Sequence, residues 1–131
     1  MKRAAFKGTR LSENTYLITE HSDIYNEHPF IYVRIFSSFN TVLVIDTGCG
    51  GATDDQEIEI TSLREFIETA NPDSDAEHGD GKPLNEGGKL GYAVVLTHCH
   101  YDHICTCNPT LTTMSIQPHQ SRTKPVICTC Y

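Results

Sequence analysis

The stretch Thr97-His98-Cys99-His100-Tyr101-Asp102-His103 gathers three imidazoles and one carboxylate within six positions, directly after the apolar run Tyr92-Ala93-Val94-Val95-Leu96. Such a density of imidazole nitrogens and carboxylate oxygens is the donor set of a metal site. It suits zinc first, with iron or manganese as other candidates. In extended backbone, alternate side chains share a face, so His98, His100 and Asp102 would lie on one side and Cys99 and Tyr101 on the other. His103 breaks that alternation and predicts a turn near Asp102. The spacing therefore suits up to two adjacent ions, His98 and His100 on one, Asp102 and His103 on the other. The plain alternative is a polar, His-rich surface loop.

His98-x-His100-x-Asp102-His103 after an apolar strand resembles the signature of the metallo-β-lactamase superfamily of metallohydrolases. A second match lies upstream, where Thr41-Val42-Leu43-Val44-Ile45 runs into Asp46-Thr47-Gly48. Together the two matches cover roughly residues 11 to 105. The resemblance implies an α+β fold: the N-terminal half of an αββα sandwich, mostly antiparallel sheet with one or two helices. It also implies His98, His100, Asp102 and His103 as metal ligands, a catalytic part for Asp102, and Asp46 beneath the metal centre as its support. Carboxylates of that kind commonly fix the orientation of ligating His rings. The implied chemistry is hydrolysis by a zinc-bound hydroxide, with the metal polarising the group under attack. A small ester, thioester or lactam-type molecule is the implied substrate.

Three segments ahead of the motif are rich in β-branched and aromatic residues. Thr15–Thr19, Phe30–Phe36 and Thr41–Ile45 read as strands of an antiparallel meander. The polar stretch 21–29 between the first two reads as turn, with His21 and His28 exposed. Glycines in Asp46-Thr47-Gly48-Cys49-Gly50-Gly51 allow a tight turn close to the motif. Ser62-Leu63-Arg64-Glu65 has the form of a capping box and opens a helix over 63–70, whose Leu63, Phe66 and Ile67 make one apolar stripe before Asn71-Pro72 ends it. The Asp-, Glu- and Gly-rich stretch 73–91 reads as a surface loop, with His78 exposed. The strand of the motif, continuously apolar, is expected to be central.

Composition narrows the partners. Ten Lys and Arg stand against seventeen Asp and Glu in 131 residues, and the net charge of −7 argues against nucleic acid, whose phosphates draw on clustered positive charge. No stretch reaches the roughly 20 apolar residues of a membrane span. No apolar segment follows the basic start Met1-Lys2-Arg3, so a cytoplasmic location and reduced cysteines are expected. Residues 1–105 read as one truncated domain and 106–131 as an atypical tail; of two Cys-Thr-Cys pairs, Cys105/Cys107 straddles that boundary and Cys128/Cys130 lies in the tail. Half of a sandwich would leave a sheet uncovered, which predicts dimerisation or aggregation. The alternative to a hydrolase is a non-catalytic zinc-binding or interaction protein. A third reading lets Cys128 or Cys130 complete the site.

Overall fold

A computed structural model describes residues 2–72, 81–98 and 100–104. The proposed tail, His78, Cys99 and the Cys-Thr-Cys pairs lie outside the described residues. The chain begins with β1 (Arg3–Ala4), β2 (Phe6–Ser12) and β3 (Thr15–Glu20), followed by β4 (Phe30–Phe36) and β5 (Thr41–Ile45). A crossover carries β6 (Ile58–Ile60) and α1 (Leu63–Thr69), then β7 (Gly91–Val95) leads to the short α2 (Tyr101–Ile104).

The strand order β2-β3-β4-β5-β7 makes one five-stranded sheet, and β1 pairs with β6 in a separate two-stranded one. Strands β2 to β5 run antiparallel to their neighbours, whereas β7 lies parallel to β5. The class is therefore α+β with a mostly antiparallel five-stranded sheet and two helices, as expected. Strands β4 and β5 fall on the expected residues, and β3 runs one residue further, to Glu20. Alternation explains the burial: Ile18, Ile31, Val33, Val42 and Val44 are wholly buried on one face, while Tyr32 and Arg34 between them are exposed.

Helix α1 covers that face with Leu63, Phe66 and Ile67, and Phe66 meets Phe6 with ring centroids 5.6 Å apart. Ser62 caps it as its sequence signature predicts, its hydroxyl accepting from the Glu65 N–H at 3.3 Å. Ala70, in extended conformation ahead of Asn71-Pro72, terminates it.

Three expectations need correction. Strand β2 escaped notice because Lys7, Gly8, Thr9 and Arg10 dilute its apolar signal; pairing with β3 over Phe6↔Glu20 to Ser12↔Thr15 makes it a strand. Strand β7 is not central but is the edge of the sheet among the described residues, and alternates exposed with half-buried. A short apolar run does not reveal how many neighbours it will have. The stretch 73–91 is not wholly surface loop either: Leu84 and Asn85 are buried, Asn85 N–H donates to Ile67 O at 3.0 Å, and Glu86–Gly88 forms a 3₁₀ turn against α1.

Candidate functional site

Parallel pairing decides where the site forms. Because Ile45 is registered with Val95, the chain leaves β5 and β7 at the same end of the sheet, and the two exits face each other. Asp46 follows β5 with φ of 63°, a left-handed conformation that an Asp tolerates better than most residues. That twist lets its N–H donate to Val95 O at 2.8 Å while its side chain turns toward the exit of β7.

The Asp46 carboxylate, only 5% exposed, is the hub. Its Oδ1 accepts from the Thr97 N–H at 2.7 Å, and its Oδ2 accepts from Thr97 Oγ1 at 2.8 Å and from His103 Nδ1 at 2.9 Å. Burial acts to raise the Asp46 pKa, but the donors from Thr97 and His103 outweigh it and hold the group below the ordinary carboxylate value. On the other side of the ring, His103 Nε2 lies 3.1 Å from Asp102 Oδ2. The backbone is fastened as well: the Thr47 N–H and hydroxyl both donate to His103 O, at 2.8 and 3.0 Å.

Thr97 sets the state of the next ring. Its hydroxyl has a single hydrogen, directed to Asp46, so the 2.9 Å contact with His98 Nδ1 is made with the ring nitrogen donating. The His98 ring stands 4.6 Å from His100, edge-on, and 4.0 Å from His103. His100 itself is exposed.

The expected alternation of faces across 98–102 does not occur, because β7 ends at Val95 and the backbone is already helical at Tyr101. What gathers His98, His100, Asp102 and His103 is the bend between strand and helix. Among the described residues, no group of three or more His, Cys, Asp or Glu side chains is arranged to hold a metal ion. His103 is hydrogen-bonded through Nδ1 to Asp46, and its Nε2 lies 3.1 Å from Asp102 Oδ2.

Two supports of this site were not foreseen. Glu20, wholly buried at the end of β3, accepts from the N–H groups of Cys49 and Gly51, both at 3.1 Å, and so shapes the loop after Asp46. Burial raises its pKa, only partly offset by those backbone donors. Asp23 accepts from the N–H groups of Tyr25, Glu27 and His28 at 3.0 to 3.1 Å, which folds the 23–28 turn. That turn meets the motif where Tyr101 donates to Glu27 and its ring packs edge-on against Tyr25 at 5.3 Å. An acid at the end of an otherwise apolar strand, just before a turn, was the available signal for Glu20. His21 and His28 are exposed, as expected.

The chain is 42% identical over 100 residues to a protein of Aspergillus versicolor named "Putative transcription factor avaE", an alignment covering 76% of this chain and 27% of that one. The chain thus spans about a quarter of the length of the curated relative that it matches. No family model matches the chain, and no solved structure matches it. These findings correct the functional reading of the motif. Membership of the metallo-β-lactamase superfamily, and with it the hydrolase reading, is overturned by a relative named for transcription and by the lack of any matching family model. A short signature of His and Asp after an apolar strand also arises where those residues hydrogen-bond one another. No helix among the described residues is long and apolar enough to cross a membrane.

Proposed function

We propose that this chain is a non-catalytic interaction module of a longer regulatory protein, and that the His motif is a clasp that holds together the two strand exits. The observation that carries this reading is the bond from His103 Nδ1 to Asp46 Oδ2 at 2.9 Å, which ties the helix after β7 to the exit of β5, with Asp102 Oδ2 3.1 Å from the other ring nitrogen. A ring bonded in this way fastens the loop after β5 to the motif. The similarity to a protein named a transcription factor supports the regulatory part. The net charge of −7 favours protein contacts over nucleic acid for this segment, in a nuclear or cytoplasmic setting.

The surface we assign to this role is the sheet face opposite α1. The registers align Leu17, Tyr32, Ile45 and Val95 in one row across four strands, and Phe30 lies beside it. Tyr32, Val95 and Phe30 are 41%, 39% and 55% exposed, an apolar surface of the kind that marks contacts. The partner we assign is a second copy. An uncharged row can face itself across a two-fold axis, whereas the rest of so acidic a chain repels its copy.

Zinc, with iron or manganese as substitutes, enters this proposal as a structural ion only. His98 Nε2 and the exposed His100 ring are the groups that would hold it, with Asp102 and His103 recruited if they exchange their present bonds. Zinc counted on the purified chain, beside a His98→Ala/His100→Ala variant, tests that part; a content the variant leaves unchanged would remove it.

The main reading is tested by tethering the chain to an unrelated DNA-binding domain upstream of a reporter, and by sedimentation of the free chain. A change in reporter output and a dimer, both abolished by Tyr32→Glu with Val95→Glu while circular dichroism is unchanged, are expected. A monomer that leaves the reporter untouched would overturn the proposal. So would zinc-dependent ester or thioester hydrolysis lost with His100.

A further inference from the structure

We propose that Tyr25 and Tyr101 form an aromatic corner that binds an alkylammonium group, the head of a methylated lysine side chain or of a choline-type ion. Tyr25 stands in the 23–28 turn and Tyr101 opens α2, and their rings meet with centroids 5.3 Å apart and planes at 64°. Both residues are about half exposed, at 49% and 48%. A ring face carries partial negative charge and attracts a cation within roughly 6 Å of its centroid. At this spacing one point in the corner lies within reach of both rings, so a single ammonium gains two contacts.

Carboxylates decide the sign of the ligand. Tyr101 donates to Glu27 Oε1, which fixes an exposed carboxylate beside the ring pair. An ionised carboxylate only accepts, and it has room for several donors, so it favours a cation over an anion. Asp102 adds negative charge near the Tyr101 phenol. At longer range the net charge of −7 acts in the same direction. A primary ammonium is a compact and strongly hydrated charge, whereas alkylation weakens that hydration and adds apolar surface for the rings.

The corner is assembled before any ligand arrives. Asp23, buried, accepts from the N–H groups of Tyr25, Glu27 and His28, which holds Tyr25 and Glu27 in one turn. The Ile24 N–H donates to Ala52 O at 3.0 Å and ties that turn to the loop after β5. On the side of Tyr101, α2 is fastened to the same loop through the bonds from Thr47 to His103 O. Ordering of the two rings is thus a cost of folding and not of binding.

The test is a titration of the full chain, followed by amide NMR shifts, with Nα-acetyl-Nε-trimethyllysine amide and with the neutral isostere that carries carbon in place of the ammonium nitrogen. Saturable shifts centred on Tyr25, Glu27 and Tyr101 are expected with the cation, and affinity roughly fivefold or more weaker for the isostere, the worth of two exposed cation–π contacts. Tyr25→Leu and Glu27→Gln should each weaken binding about twofold to fivefold. Both keep the fold, because Asp23 is bonded to main-chain donors and a Gln still offers Tyr101 an oxygen. Choline, titrated in parallel, assigns the source: equal affinity points to a small ammonium ion and weaker affinity to a lysine side chain, and either upholds the ammonium site. Equal binding of cation and isostere, undiminished affinity in Tyr25→Leu, shifts centred elsewhere, or no saturable shift would each overturn the proposal. None of these outcomes bears on dimerisation through Tyr32 and Val95 or on the reporter, so the two proposals fail separately.

Discussion

Asp46 Oδ2 and His103 Nδ1 stand 2.9 Å apart although 57 positions separate them in the chain. The bond closes the loop formed by the whole crossover from β5 through α1 to β7. Asp46→Asn should therefore be costly, because an amide can present only one oxygen where the carboxylate accepts on two. With Asn also tolerant of the left-handed backbone, the loss isolates the side-chain bonds, on the order of 1–3 kcal/mol. Urea unfolding measures it, and Asp46→Ala, which adds backbone strain at φ 63°, should cost more. An Asn variant as stable as the parent would show that the clasp contributes nothing.

Glu20 should leave a signature in the pH dependence of stability. Its folded pKa is raised above the ordinary 4.5 by burial, so the folded state binds the proton more tightly than the unfolded chain does. Stability from this group is present below the unfolded value and declines as pH climbs from there through the folded value. Asp23 and Asp46 act in the opposite sense, each held below 3.8 when folded, so their contribution is lost as pH falls. Glu20→Gln removes the first effect alone. The destabilisation caused by Glu20→Gln should shrink between pH 4 and pH 7; a gap that widens over that interval would contradict the account.

Gly51 and Gly81 both have positive φ, of 71° and 70°, but differ in surroundings. A Cβ on Gly51 would lie 1.8 Å from Thr61 O, whereas at Gly81 no atom of the described residues lies within 4 Å. Gly81→Ala should cost only the backbone strain, roughly 1–2 kcal/mol. Gly51→Ala adds a backbone clash beside the loop that Glu20 organises, and should cost several kcal/mol or prevent folding. Thermal unfolding of the pair separates the two contributions, and equal costs would deny the clash.

Tyr101 is bonded to Glu27, and this bond with a carboxylate pushes the phenol pKa up to about 12. The contribution of Tyr101 to an ultraviolet titration, taken as the difference from Tyr101→Phe, should be absent near pH 10. Glu27→Gln should restore it there. An unshifted titration in the parent chain would mean that the 23–28 turn does not dock on the motif.

Much of the local structure was legible without coordinates, because it rests on short-range chemistry. Alternating β-branched residues marked β3, β4 and β5, and Ser62 with the Leu63, Phe66 and Ile67 stripe marked α1. The same short-range reading missed β2, whose polar residues become a strand only through β3, and β6, a three-residue segment paired with β1. It also placed β7 at the centre, since an apolar run carries no record of its neighbours.

At the site, residue types and spacing drew attention to His98, His100, Asp102, His103 and Asp46, but what these groups do to one another was a tertiary matter. Parallel pairing of β5 with β7 brings Asp46 against Thr97 and His103, and the bend at Thr97 with the helix from Tyr101 replaces the extended alternation that suggested separate ligand faces. Which donors and acceptors are available follows from side-chain identity alone. That the Asp46 carboxylate meets Thr97 and His103 is a matter of the folded chain, because hydrogen bonds depend on distances of about 3 Å that residues dozens of positions apart reach only on folding.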